Sequence, residues 1–221
     1  MKIALDGPSG AGKSSLARAI AKELHIVYVD TGALYRSIGL FVRGRNVDPK
    51  DADAVIACLP DIRLEMVFEN GEQHIYLCGE DVGDRIRTNE ISMYASDVSA
   101  IPAVRAFLLD TQRDIARKTD VVMDGRDIGT VILPDAEVKI FLTASPEARA
   151  RRRTLELAQK GMPTSYESVL ATMMERDTND STRKTAPAVA AADAVVLDNS
   201  DMTAEETVAA ALAIIREKIQ Q

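Results

Sequence analysis

One run of residues carries the clearest chemistry: Gly7-Pro8-Ser9-Gly10-Ala11-Gly12-Lys13-Ser14 satisfies the pattern G-x-x-x-x-G-K-[ST] at every position. The glycines let successive backbone N–H groups turn toward one phosphate, Lys13 reaches the β and γ oxygens, and the Ser14 hydroxyl can join the shell of a magnesium ion. Ser15 adds a second hydroxyl directly behind it. A dinucleotide fingerprint fits poorly, because a lysine straight after the last glycine has no role there. The residues therefore predict a cradle for the polyphosphate of a nucleoside triphosphate. Mg²⁺ is implied, since one lysine cannot neutralise that charge.

What receives the phosphoryl group must be read from elsewhere in the chain. Asp30 and the cluster Asp124-Gly125-Arg126-Asp127 each follow an apolar run. A carboxylate at the end of a parallel strand borders the crevice where such sheets bind ligands. It can hold a magnesium-bound water or a sugar hydroxyl; equally, it can cap a turn. Arg36, Arg105 and Arg126 fall in three separate segments, and Arg176, Asp180 and Arg183 recur at a spacing that puts them on one helical face. That face reads either as a solvated ion-pair ladder or as a phosphate contact. Arg149, Arg151, Arg152 and Arg153 fall within five residues, with Arg149 and Arg153 on one side of a helix and the other two pointing elsewhere.

A phosphate acceptor makes sense of so many guanidinium groups. Its second pKa is near ~6, so it presents a nucleophilic oxygen at neutral pH and needs no strong base. The task becomes bringing two anions together, which bidentate guanidinium groups do well. An alcohol acceptor would instead ask for a carboxylate base, a role open to Asp30 or Asp124.

These residues need elements to position them. Residues 2–6 read as a buried strand, and Leu16, Ala17, Ile20, Ala21 and Leu24 mark one face of the helix that follows the loop. A second strand over 26–29 leads into a helix ending near Gly44. Strand, helix, strand, helix is the opening of an open α/β sheet. The pattern then changes: residues 61–68 alternate, Asn70-Gly71 is a hairpin signal, and 74–77 is the return strand. Residues 89–118 are mostly helical with a break at Pro102. Short strands are expected at 121–123, 138–142 and 195–197. Ser145-Pro146 starts the arginine-rich helix, Thr164 with Glu167 resembles a capping box for a helix over roughly 165–183, and Thr203 with Glu206 caps the last helix. Residues 187–194 are expected to form a loop.

Bulk properties exclude several classes. In 221 residues, 34 acidic side chains against 27 basic give a net charge of -7, which repels a nucleic-acid backbone or an anionic membrane. No stretch approaches the ~20 apolar residues of a membrane span, and the apolar run Ile3 to Leu5 is too short for a secretory leader. Cys58 and Cys78 are the only cysteines, read as free thiols in a reducing compartment.

Longer segments resemble one family across nearly the whole chain, the bacterial cytidylate kinases. The resemblance rests on GPSGAGKSS (7–15), VDTGALYR (29–36), GEDVGDRIRTNEIS (79–92), DGRDIGTVILPDAEVKIFLTAS (124–145), RRRTLELAQKG (151–161) and ERDTNDSTRKTAP (175–187). It implies an α/β P-loop fold with a parallel central sheet flanked by helices, a small antiparallel insert and a helical lid. A single domain over 1–221 would contain an acceptor-binding insert at about 36–100 and a lid at about 149–163. The implied reaction is transfer of the γ-phosphoryl of ATP, as its Mg²⁺ complex, to CMP or dCMP. Gly7 to Ser15 would bind ATP, with Ser14 on Mg²⁺, helped through water by Asp30 or Asp124. Lys13, Arg126, Arg152 and Arg176 would be catalytic. Thr31, Arg36, Arg105, Arg126 and Arg176 would hold CMP, Asp127 its sugar hydroxyls, and Ser96, Asp180 and Arg183 the cytosine edge. Thr31 stands where some members have Ser and adds a methyl group. The expected enzyme is a cytoplasmic monomer with nucleotide partners, neither nucleic acid nor membrane. Other small-molecule P-loop kinases and a nucleotide-dependent switch are the rivals.

Overall fold

The apolar run at the start folds as its composition demands. In the computed structural model, which describes residues 1–69 and 72–220, Lys2–Asp6 form strand β1, and Ile3, Ala4 and Leu5 are wholly buried. A strand covered on both faces reads as continuous rather than alternating hydrophobicity. The glycine-rich loop follows, then helix α1 (Lys13–Leu24), whose buried residues Leu16, Ala17, Ile20 and Ala21 are those its periodicity marks. Strand β2 (Val27–Asp30) and helix α2 (Thr31–Gly44) complete the expected opening.

Next come helix α3 (Ala52–Cys58), strands β3 (Leu64–Glu69), β4 (Glu72–Leu77) and β5 (Glu80–Asp81), and helices α4 (Asn89–Ser99) and α5 (Pro102–Lys118). Strand β6 (Val121–Gly125), strand β7 (Val138–Thr143), helices α6 (Pro146–Gln159) and α7 (Tyr166–Thr182), strand β8 (Val195–Asp198) and helix α8 (Ala204–Ile219) finish the chain. The larger sheet has the order β2-β6-β1-β7-β8; the smaller has the order β3-β4-β5. In the larger sheet β1 pairs with β7 and β7 with β8 in parallel, and in the smaller β3 pairs with β4 and β4 with β5 antiparallel. Non-consecutive neighbours joined through helices are the mark of an α/β fold.

The chain divides into two compact units. The first comprises Met1–Ile26 and Val122–Gln221, the second Val27–Val121. In the first, α6 and α7 bury a small cluster of Ala150, Leu157, Val169 and Met173. The second has its own core, in which Leu34, Ile38 and Val42 from α2 pack with Val98, Val104 and Leu108 from α4 and α5 and with Ile75 from β4.

Several boundaries differ from expectation. Strand β3 begins at Leu64 because residues 59–61 close a 3₁₀ turn first. Its partner begins at Glu72; the Asn70-Gly71 turn lies outside the described residues. The helix cap expected at Thr164 sits one residue later. Ser165 is the N-cap and accepts from the N–H of Ser168, while the Thr164 hydroxyl donates to the Met162 carbonyl. Both are legitimate caps, so the chain's exit from the preceding turn decides. Arg183 is not on the helical face with Arg176 and Asp180; it follows the helix in extended backbone, and its Nε donates to the Ala186 carbonyl. Ser145 caps α6 and the Thr203–Glu206 box caps α8, as their sequences predict. Residues 187–194 form no helix or strand.

Candidate active site

The loop Gly7–Gly12 joins β1 to α1. Gly7 has φ 145°, and a Cβ there would sit 1.9 Å from the Leu142 carbonyl oxygen, so only glycine fits between β1 and β7. The loop is held through its carbonyls. The Pro8 oxygen accepts from Lys13 Nζ at 2.6 Å, the Ser9 oxygen from Arg149 at 2.9 Å, and the Ala11 oxygen from Asn199 Nδ2 at 3.1 Å. Gly12 is the N-cap of α1, and no acidic residue occupies that helix's first turn. The start of α1 is therefore kept for an anion.

Strand β6 delivers Asp124 and Arg126. The Ser14 hydroxyl donates to Asp124 Oδ2 at 2.8 Å. A hydroxyl beside a carboxylate is an oxygen donor pair of the kind Mg²⁺ takes, so the residues present fit that ion. Among the described residues no three of His, Cys, Asp and Glu cluster around a metal position, so the rest of the shell would come from phosphate and water. Arg126 donates through Nε to Asp180 Oδ2 at 2.8 Å, and Arg183 approaches Asp180 at 3.8 Å and Asp127 at 4.0 Å. Asp127 and Asp180 are both buried. Arg126, Asp127, Asp180 and Arg183 thus lie together in the structure; the family resemblance groups them at the acceptor, whereas spacing alone links Asp180 and Arg183 only to Arg176. Arg176 adds positive charge to the Asp180 carboxylate.

Burial strains these charges. It pushes the Lys13 ammonium well below its ordinary range, the Arg126 guanidinium adds to the push, and Asp124, Asp180 and Asp6 oppose it. For Asp180, burial works upward but is outweighed, chiefly by Arg126, and the carboxyl is held below its usual range. The Arg126 guanidinium is likewise penalised by burial and more than compensated by Asp180 and Asp124.

The roles of three residues escape sequence reasoning. Asp6, at the end of β1, accepts from the N–H groups of Ile128 and Gly129, both at 2.7 Å, and so fixes the turn Ile128–Ile132 that follows Asp127. Burial pushes its carboxyl up to about 6. Arg149 is buried and pairs with Asp177 at 2.6 Å, making it a brace between the loop, α6 and α7 rather than a mobile phosphate contact. Asn199 ties the loop to Arg152, whose guanidinium donates to the Asn199 side chain at 3.1 Å and to its carbonyl. Buried polar residues next to the loop motif are the only signal, and burial is not visible in the sequence. Arg153 pairs locally with Glu156, and Arg151 is exposed.

The second unit holds the remaining expected residues. Asp30 ends β2 and caps α2: its Oδ1 accepts from the Ala33 N–H at 3.0 Å and its Oδ2 from Arg36 at 2.7 Å. Asp30 is thus the cap of α2, while Asp124 is the carboxylate bonded to Ser14. Thr31 is buried at the first position of α2. Arg105 is buried on α5, donates to the Ser99 carbonyl at 3.2 Å and lies 5.4 Å from the Tyr35 ring centre. Ser96 is half-buried on α4, its carbonyl accepting from Ser99.

The family model described as cytidylate kinase matches residues 3–217. A cytidylate kinase of Caldanaerobacter subterraneus is 50% identical over 94% of this chain and 91% of its own length. One from Fervidobacterium nodosum is 48% identical over 98% and 97%. Among solved structures, an uncharacterized protein from Eubacterium ventriosum shares the fold at 12% identity, with a TM-score of 0.51 over 100% of this chain and 99% of that one. A phosphate loop with its lysine and hydroxyl in place, a buried guanidinium–carboxylate cluster beside it, and relatives of this similarity along almost the full length lead to one assignment: the chain is an enzyme of the nucleoside monophosphate kinase type and belongs to the cytidylate kinase family.

Proposed function

We propose that the enzyme transfers the γ-phosphoryl group of ATP to CMP or dCMP by direct in-line attack, giving CDP or dCDP in pyrimidine nucleotide metabolism. The observation that carries this reading is the Arg126–Asp180 pair at 2.8 Å in the same buried cluster as Lys13. It sets a guanidinium suited to phosphate against a carboxylate suited to an exocyclic amine. Cytosine offers its N4 amine to such a carboxylate; uracil would oppose it with a carbonyl.

The loop's carbonyls are spent on Lys13, Arg149 and Asn199, leaving its N–H groups for the ATP phosphates. Lys13 leaves Pro8 for the β and γ oxygens. Ser14, with Asp124 behind it, holds Mg²⁺, which when bound offsets charge on those oxygens. Arg36, Arg105 and Arg126 grip the acceptor phosphate, helped by Arg176, and offset charge on the group in transfer. Asp127 binds the sugar hydroxyls, and Ser96, Asp180 and Arg183 read the base edge. Thr31 contacts the acceptor. The acceptor phosphate is itself the nucleophile, so no protein base is required.

The segment 149–163 acts as a lid that excludes water, with Arg152 released from Asn199 to reach the phosphates. Arg149 at its start stays anchored. The insert at about 36–100 serves the acceptor. We propose a monomer acting in the cytoplasm, the oligomeric state being read by light scattering on a sizing column.

A coupled assay over CMP, dCMP, UMP, AMP, dTMP and shikimate tests the assignment. CMP and dCMP should turn over fastest; faster turnover of AMP than of CMP would end it.

A further inference from the structure

We propose that Gln73 is a positioning residue for the acceptor phosphate, acting through Asp30 and Arg36. Gln73 lies on β4, opposite Phe68 of β3, so antiparallel pairing fixes its backbone. Its carboxamide meets both polar groups of one residue 43 positions away: Oε1 accepts from the Asp30 N–H at 2.8 Å, and Nε2 donates to the Asp30 carbonyl at 3.2 Å. A donor and an acceptor side by side are needed for that pairing, and among side chains only an amide supplies them. Arginine or lysine could only donate, and an ionised glutamate could only accept. Asparagine has the same groups but is one methylene shorter.

What Gln73 clamps is a junction. Asp30 is at once the last residue of β2 and the N-cap of α2, with φ -81° and ψ 93°. Its carboxylate divides its oxygens between the Ala33 N–H and Arg36. With the Asp30 N–H and carbonyl both tied to Gln73, the carboxylate is held where it caps the helix and where it orients the guanidinium. Arg36 has one carboxylate oxygen at 2.7 Å, and its Nε, though buried, has no hydrogen-bond partner among the described residues. A guanidinium gripped at one end with a donor left over is set to take a second anion. The antiparallel sheet then has a purpose beyond its own stability: it supplies the amide that sets the Asp30–Arg36 pair.

This inference rests on the reading that Arg36 grips the acceptor phosphate, and the experiment separates the two. Gln73→Met keeps the length of the side chain and removes both hydrogen bonds; Gln73→Ala removes the bulk as well and stands in if the Met variant unfolds. Each is made alone and together with Arg36→Met, and kcat, KM for CMP, KM for ATP and Tm are measured. Gln73→Met should raise KM for CMP about fivefold or more, the size of one lost hydrogen bond. KM for ATP should stay within about twofold. In the Arg36→Met background the same change should add nothing, because residues that act as a chain are not additive.

The proposal is overturned if Gln73→Met leaves KM for CMP unchanged, raises both KM values alike, or adds its full effect on top of Arg36→Met. If Arg36→Met itself leaves KM for CMP unchanged, the reading of Arg36 fails and takes this proposal with it. If Arg36→Met raises KM and Gln73→Met does not, only the role of Gln73 fails.

Discussion

Replacing Asp6 by Asn should change how the protein's stability depends on pH. Asp6 is 4% exposed and accepts from the Ile128 and Gly129 N–H groups at 2.7 Å each. Those two donors and the nearby Lys13 favour the carboxylate, while burial and the Asp127 carboxylate oppose it; burial is the largest influence, and the group ionises at about 6 instead of 3.8. Between those values the folded chain keeps a proton that the unfolded chain has released. Stability from this group therefore falls as pH rises through that window, and above about 6 the whole cost of ionising is in place. A separation of roughly two pH units amounts to ~3 kcal/mol. Asn cannot ionise. It keeps one oxygen for one N–H and sets an amine against the other, a loss of ~1–3 kcal/mol that does not vary with pH. Stability of the natural protein minus that of Asp6→Asn should thus drop by ~2–3 kcal/mol between about pH 4 and pH 7.5. Urea unfolding followed by circular dichroism in half-unit pH steps gives the difference. Two parallel curves would refute the reasoning, because they would mean that the two N–H bonds outweigh burial and keep Asp6 ionised throughout.

Lys13→Met should lower kcat by at least ~100-fold, the scale of losing a charged donor to the transferring group. Its Tm should be unchanged or raised, because a buried ammonium is removed; steady-state kinetics beside calorimetry would show a problem if turnover survived. Asp180→Ala should cut kcat/KM for CMP more than for UMP, lowering their ratio by the ~1–3 kcal/mol that one base-edge contact discriminates. A ratio is insensitive to how much of the variant is folded, and equal losses on both acceptors would show that Asp180 does not read the base. Gly129→Ala should destabilise by ~1–3 kcal/mol as overpacking. Its Cβ would lie 3.1 Å from Lys139 Cδ and 3.4 Å from Asp6 Oδ2, and Lys139 cannot yield easily because its Nζ is bound to the Pro134 carbonyl and Asp193. A denaturant midpoint equal to that of the natural protein would mean that Lys139 moves aside freely.

Elements whose causes are local were legible in the sequence. Strand β1, the loop and α1 follow from an apolar run, a phosphate motif and a helical stripe within 24 residues, and the Thr203–Glu206 box needs only four residues to be recognised. Where partners are distant, pattern reading runs out. Asp6 looks like an ordinary acid before a glycine turn until its two donors, 122 and 123 positions away, are in place. Asn199 meets the Ala11 carbonyl across 188 positions. Arg183 shows the same limit from the other side. Its spacing from Arg176 suits a helix, yet its extended backbone and its bond to the Ala186 carbonyl take it off that face, while the ion pair with Asp180 survives. Asp30 offers two readings in the sequence, a carboxylate that holds a magnesium-bound water or a sugar hydroxyl, or a cap, and the cap becomes visible only with its bond from the Ala33 N–H.

Four of the cations proposed to meet phosphate are held by the protein itself in two ways, and the type of acceptor divides them. Lys13 rests on the Pro8 carbonyl, and Arg152 on the Asn199 carbonyl and side-chain oxygen. Arg36 and Arg126 are paired with carboxylates, Asp30 and Asp180. Leaving a buried cation without any partner costs several kcal/mol, so a protein that binds polyanions needs stand-ins for them. A neutral carbonyl yields to a charged phosphate, because charge-assisted hydrogen bonds are roughly twice as strong as neutral ones. A carboxylate does not yield in that way. Lys13 and Arg152 should therefore change partners when nucleotide arrives, whereas Arg36 and Arg126 should keep theirs and turn their remaining N–H groups to the ligand. The two pairs then do different work: the first pair moves with the reaction, and the second sets the geometry before the nucleotides enter.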